Sequence, residues 1–123
     1  MLRKKILLVD DADTILMMER MILGNGSYEF VTAKDGEEAI AKAETEKPDL
    51  ILLDVIMPKL DGFSVCRQLR QNEATRETPI IIVTTRGERL NMEQGFESGC
   101  TDYVAKPING LELLLKVKSY LGE

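Results

Sequence analysis

Three runs of uninterrupted aliphatic side chains constrain this chain most: Ile6-Leu7-Leu8-Val9, Leu50-Ile51-Leu52-Leu53 and Ile80-Ile81-Ile82-Val83. A strand that is apolar at every position has no face to offer water, so it must lie in a sheet covered on both sides. Between the runs lie segments whose apolar residues recur at helical spacing, and such alternation is the signature of successive βαβ units around a parallel sheet. The predicted strands cover residues 5–10, 28–32, 50–54, 79–84 and 102–105. The second, Tyr28-Glu29-Phe30-Val31-Thr32, alternates in polarity and suits an edge.

The helical stripes expected to face the sheet are Ile15, Met18 and Ile22; Ala39 and Ala43; Phe63, Cys66 and Leu69; and Leu111, Leu114 and Leu115. Met18 and Met21 are expected in the core on the same grounds. Gly24-Asn25-Gly26, Asp35-Gly36, Lys47-Pro48-Asp49, Asp61-Gly62 and Thr78-Pro79 supply turn chemistry between the elements.

A length of 123 residues with 44% hydrophobic content suits one domain over 1–123 with one core. Apolar stretches of about five residues are too short to span a bilayer, and Met1 to Lys5 lead straight into a strand rather than a signal peptide. A cytoplasmic location with no membrane partner is expected. Net charge is −5, and the basic trio Arg3-Lys4-Lys5 reads as a solvated lead-in, which argues against direct nucleic-acid binding. Cys66 and Cys100 form neither a metal pattern nor a disulfide framework and are expected to be reduced and packed. Histidine is absent, which removes the commonest general base and transition-metal ligand at once.

What chemistry remains is written at the strand ends. The first strand closes on Asp10-Asp11, the third on Asp54, the fourth on Thr84, and the fifth on Lys106-Pro107. In an open parallel sheet these ends share the edge where such folds bind ligands. Carboxylates crowded there at about 4 Å repel by roughly 4 kcal/mol per pair at an effective dielectric near 20, so they call for a cation. Oxygen donors without imidazole or thiolate favour Mg²⁺, which is content with one or two carboxylates, waters and a phosphoryl oxygen. Lys106 and Thr84 could each meet a phosphoryl oxygen, and Asp54, single and central, is the natural nucleophile. Each residue alone has a plainer reading: an Asp after a strand is often a turn or cap, Asp13-Thr14 could merely start a helix, and Lys-Pro is often a rigid turn. The combination, each type closing a different strand, is what points to phosphate chemistry.

In these residues the chain closely resembles the receiver domain of two-component response regulators, over essentially its whole length. The matching segments are Ile6 to Asp11, Leu50 to Pro58 with Asp61-Gly62, Pro79 to Thr84, and Gly99 to Pro107. The resemblance implies a flavodoxin-like (βα)5 fold, a doubly wound parallel sheet in the order 2-1-3-4-5. It implies that Asp54 accepts a phosphoryl group from phosphohistidine on a sensor histidine kinase or phosphotransfer protein. Asp10, Asp11, Asp54 and the backbone carbonyl of Ile56 would hold Mg²⁺. Lys106 would contact the phosphoryl group, with a cis bond to Pro107. Thr84 and Tyr103 would act as switch residues, altering the surface of the fourth helix, fifth strand and fifth helix toward a downstream target or effector domain. The chain would be a signalling switch rather than an enzyme, a monomer or a phosphorylation-dependent dimer, and the first helix around Ala12, Ile15 and Met18 would dock the kinase.

Some positions depart from the family's commonest pattern. Thr85 stands where Ala or Gly is usual, and Cys100 where Ala is frequent. Ile56 and Arg86 occupy variable positions, and an apolar Ile56 offers no side chain to orient an attacking water, so a long-lived phosphoryl state is expected. Two rival readings fit the residues less well. A haloacid-dehalogenase-like phosphatase would begin with Asp11-Ala12-Asp13, but its fifth motif place is Ile15 and no later acidic pair closes a strand. A phosphorylation-independent pseudo-receiver would usually lack one of the acidic, Lys or Thr positions, and all are present.

Overall fold

Successive residues of a strand point to opposite faces, and that alternation divides the core of this protein in two. The computed structural model describes residues 3–24, 26–57, 60–84 and 96–123. Its strands are β1 (Lys4–Val9), β2 (Tyr28–Ala33), β3 (Leu50–Asp54), β4 (Ile80–Thr84) and β5 (Asp102–Ala105). Helices α1 (Asp13–Leu23), α2 (Gly36–Glu46) and α3 (Gly62–Gln71) connect the first four strands, and a C-terminal helix (Gly110–Tyr120) follows β5. Every pairing is parallel and the order is β2-β1-β3-β4-β5. The expected doubly wound fold is the one observed, with strand boundaries within one residue of those read from the sequence and β2 at an edge. The expected fourth helix lies mostly outside the described residues, as do Thr85, Arg86 and Pro58.

On one face Leu7, Val9, Ile51, Leu53, Ile80 and Ile82 pack with Ala39 and Ala43 of α2 and Val65, Cys66 and Leu69 of α3. On the other, Ile6, Leu8, Leu50, Leu52, Ile81 and Val83 pack with Leu16 and Leu23 of α1 and Leu113 and Val117 of the C-terminal helix. The hydrophobic runs therefore serve both cores at once. Cys66 and Cys100 are free and buried in the first cluster, where burial pushes both thiols up, Cys100 to about 12. This matches packed thiols.

Two helices present a different face from the expected one. α1 buries Leu16, Glu19 and Leu23, whereas Met18 is 39% exposed, Met17 60% and Met21 74%, and Ile15 and Ile22 are only half-buried. Met18 and Met21 are thus surface residues, contrary to expectation, as is Met17. One residue along a helix is a rotation of about 100°, and a charged residue in the true stripe made its neighbour read as the more apolar one. The C-terminal helix buries Leu113 and Val117 and leaves Leu111 and Leu115 more than half exposed, with Leu114 between. With leucine at 111, 113, 114 and 115, composition alone does not orient the helix.

A single guanidinium ties the start of β5 into place. Arg70 donates to the carbonyls of Thr75, Arg76, Thr78 and Gly99 and to the Thr101 hydroxyl, at 2.6–3.1 Å. The Thr101 hydroxyl in turn accepts from Ile80 N–H at 2.9 Å, joining the starts of β4 and β5.

The burial pattern of the C-terminal helix gives a direct comparison. Leu113→Ala should cost roughly 2–5 kcal/mol of stability and Leu111→Ala about 0.5 kcal/mol or less, read from urea unfolding midpoints. Equal losses at the two positions would contradict this packing.

Candidate phosphoryl and metal site

Parallel pairing places the carboxyl ends of all five strands on one edge, and register then sets the neighbours. Val9 pairs with Leu53, so the next residues, Asp10 and Asp54, emerge side by side at the switch point between β1 and β3. Asp54 pairs with Val83, which places Thr84 one step further on, and Thr84 pairs with Ala105 of β5, one residue before Lys106. The Lys106-Pro107 bond is cis, as expected.

Asp10, Asp54 and Thr84 are buried, whereas Asp11 is exposed. The Lys106 ammonium lies between the two buried carboxylates, 3.1 Å from Asp10 Oδ2 and 3.2 Å from Asp54 Oδ1. Asp10 is further oriented by the Ala12 N–H, which donates to its Oδ1 at 2.9 Å. Oxygens of Asp10, Asp11 and Asp54 lie within 4.8 Å of one another, and no imidazole or thiolate belongs to the cluster. This hard-oxygen set fits a divalent ion of the Mg²⁺ type. Ile56, two residues after Asp54, is 69% exposed. The half-buried Tyr103 lies one residue before Val104 on β5 and packs against the α3-side core.

Electrostatics follow from the crowding. Burial first, and then the neighbouring Asp10 charge, raise the Asp54 carboxyl above its usual range, against the pull of Lys106. For Lys106, burial works to lower the ammonium, but the Asp54 and Asp10 carboxylates outweigh it and the net direction is upward. The lysine is therefore a fixed positive charge at neutral pH.

The loop after β3 is held close by a missing side chain. A Cβ on Gly62 would stand 2.5 Å from the Asp54 carbonyl oxygen and 2.8 Å from Val55 Cα. Glycine lets the start of α3 abut the end of β3, where Gly62 N–H donates to the Val55 carbonyl at 2.9 Å. Asp61 caps the helix by accepting from Ser64 N–H at 3.0 Å. Asp35 does the same for α2. The pairs Asp35-Gly36 and Asp61-Gly62 are thus helix starts rather than free turns. Asp13 is the first residue of α1 and does not cap it.

One residue of the site escaped the sequence reading. Glu19 on α1 is 1% exposed, and its Oε1 has no hydrogen-bond partner. Burial, then the Asp10 charge, push its carboxyl up to about 8, with Lys106 opposing and Asp54 adding to the rise. The signal was present as an acid between Leu16 and Leu23 at helical spacing, and it was hidden by placing the stripe one position away.

Fold and pocket define a doubly wound α/β domain whose acidic edge suits cation-assisted phosphoryl chemistry. The chain belongs to the response regulator receiver domain family, whose profile matches residues 6–118. It is 47% identical to the alkaline phosphatase synthesis transcriptional regulatory protein PhoP of Bacillus subtilis, over 98% of this chain and 49% of that protein. The chain thus spans about half the length of this relative. Among solved structures it resembles a putative response regulator from Chloroflexus aurantiacus, with a TM-score of 0.94, 36% identity and coverage of 99% of this chain and 100% of that one. It also resembles the receiver domain of the sensor histidine kinase PA1611 of Pseudomonas aeruginosa, with a TM-score of 0.90, 32% identity and coverage of 99% and 100%. That structure holds a magnesium ion in its active site cleft. Receiver domains of this family are signalling switches of two-component systems rather than conventional enzymes. No helix among the described residues is long and apolar enough to cross a membrane.

The position of Glu19 gives a pH dependence. Its folded carboxyl value, about 8, lies above the ordinary 4.5 of the unfolded chain. Its contribution to stability is therefore complete below the unfolded value and is lost progressively as pH rises through the folded one. In metal-free protein, stability should fall between about pH 5 and 8 by an amount on the order of 3–5 kcal/mol from this group. Glu19→Gln should flatten that slope. Urea midpoints across this range in chelator test it, and identical slopes for the two proteins would refute it.

Proposed function

We propose that Asp54 is the phosphoacceptor of a receiver that takes its phosphoryl group from phosphohistidine on a sensor histidine kinase or phosphotransfer protein. The observation that carries this reading is the Lys106 ammonium set between buried Asp10 and Asp54, with Asp11 completing an oxygen cluster. A carboxylate oxygen of Asp54 attacks phosphorus, the P–N bond breaks, and the leaving imidazole takes its proton from solvent. Lys106 turns from its carboxylate partners toward the incoming phosphoryl oxygens, and the Thr84 hydroxyl donates to another. Asp10, Asp11, Asp54 and the Ile56 carbonyl would hold Mg²⁺, which supplies neutralisation of the charge that builds on the transferring group.

Thr84 and Tyr103 then report the modification to the face formed by the fourth helix, β5 and the C-terminal helix, where a downstream target or effector domain reads it. Extra contacts to the phosphoryl group amount to a bias between two conformations, which is all that a population shift requires. The chain works as a single receiver domain over 1–123 in the cytoplasm, as a monomer or phosphorylation-dependent dimer, without itself contacting nucleic acid or membrane.

Intact mass after incubation with acetyl phosphate tests this. A phosphoryl adduct should form only with Mg²⁺ and be absent from Asp54→Ala, and its half-life should exceed seconds because Ile56 orients no water. No adduct, in folded protein that also fails to bind Mg²⁺, would favour a phosphorylation-independent interaction module.

The exposed methionines of α1 supply a kinase-docking face. Met17, Met18 and Met21, with half-buried Ile22, line a shallow apolar groove of about 350 Å³ beside Thr14. Flexible thioethers suit packing against the helices of a partner. Met17→Glu with Met21→Glu should slow transfer from the cognate kinase at least about tenfold, the size of a lost interface anchor, and leave phosphorylation by acetyl phosphate unchanged. Equal slowing from both donors would argue against docking here.

A further inference from the structure

A half-buried cation stands over the ring of Tyr103. Lys116 of the C-terminal helix places its Nζ 5.1 Å from the ring centroid and donates a 2.7 Å hydrogen bond to the Tyr103 carbonyl. Phe96 meets the same ring edge-on, with centroids 6.4 Å apart and planes at 88°. The ring also packs against the α3-side core. Its position is thus fixed by an apolar contact, an aromatic edge and a cation.

Lys116 is itself held in place. Its ammonium is 3.4 Å from Asp102 Oδ1 and 3.3 Å from Glu112 Oε2. Asp102 is anchored in turn, since it accepts the Tyr103 N–H at 2.7 Å and the Tyr120 hydroxyl at 2.8 Å. The network closes on Tyr103 from both its backbone and its ring. A mobile lysine would exchange freely with solvent, whereas this one is restrained by two carboxylates and a carbonyl.

We propose that Lys116 is a positioning residue for Tyr103, holding ring and carbonyl together so that its charge sets how often the ring leaves its packed position. The consequence for signalling rests on the reading of Tyr103 as a switch residue, but the restraint is a property of the unphosphorylated chain. Loss of the cation frees the side chain and changes the output face without touching the phosphoryl pocket.

The test is ¹⁹F NMR of unphosphorylated protein carrying 3-fluorotyrosine, with the Tyr103 resonance assigned by Tyr103→Phe. Tyr28, 3% exposed, serves as an internal reporter of folding. Lys116→Met should shift or split the Tyr103 resonance, with a population change of about two- to fivefold, the worth of one partly exposed cation over an aromatic face. Lys116→Arg should restore the original signal. A Tyr103 resonance unmoved in Lys116→Met, or moved equally in Lys116→Arg, overturns the proposal; Lys116→Gln provides the same comparison if the methionine variant perturbs Tyr28. Uptake of a phosphoryl group from acetyl phosphate is measured separately, so a failure of the receiver reading shows as no adduct while the ring position still answers for Lys116.

Discussion

The site depends on one lysine compensating two buried carboxylates. Asp10 and Asp54 leave adjacent strands side by side at almost full burial, where crowded carboxylates need a cation nearby to offset their repulsion. Lys106 supplies it from a third strand, and its ion pairs draw β5 and the cis Lys106-Pro107 turn against the centre of the sheet. Such a pair is weak evidence for stability, because desolvation offsets much of the attraction. In the proposed phosphoacceptor role, its value would be that a phosphoryl group and a divalent ion bring their own charges, which would free the ammonium for a phosphoryl oxygen.

The rest of the structure makes that arrangement rigid where it must be. Continuous aliphatic strands fill both cores, so β1, β3 and β4 are buried against helices on both faces. Gly62 lets α3 close directly on the end of β3, and Arg70 fixes where β5 starts by satisfying four carbonyls and a hydroxyl. These contacts lie at opposite ends of the strands, and together they set the position from which Lys106 reaches Asp10 and Asp54. By contrast, the face around β5 and the C-terminal helix is built from partly exposed rings and ion pairs at Tyr103, Asp102 and Lys116, contacts of modest energy.

Glu19 adds a tension to the α1 side. A carboxyl buried beside the acidic cluster, with one oxygen unpartnered, is costly by about 1–3 kcal/mol. It is tolerated because holding its proton keeps the local charge down. The same helix turns its methionines outward, so one face of α1 carries Glu19 toward the acidic cluster and the other is exposed.

The sequence by itself determined the sheet and which groups stand at its carboxyl edge. Aliphatic runs at Ile6 to Val9, Leu50 to Leu53 and Ile80 to Val83 call for a sheet buried on both faces, and the residues closing those runs, with Lys106 after the fifth strand, form the candidate site whatever the helices do. Tertiary structure alone decided which helical faces turn inward. Around α1 and the C-terminal helix several adjacent positions are nearly equal in hydrophobicity, so a rotation of one residue is resolved only by which side chains meet the strands beneath. That rotation buries Glu19 and Leu113 and exposes Met17, Met21 and Leu111. The placement of Lys106 between two particular carboxylates, and of Lys116 over Tyr103, likewise depends on distances between elements that no local pattern encodes.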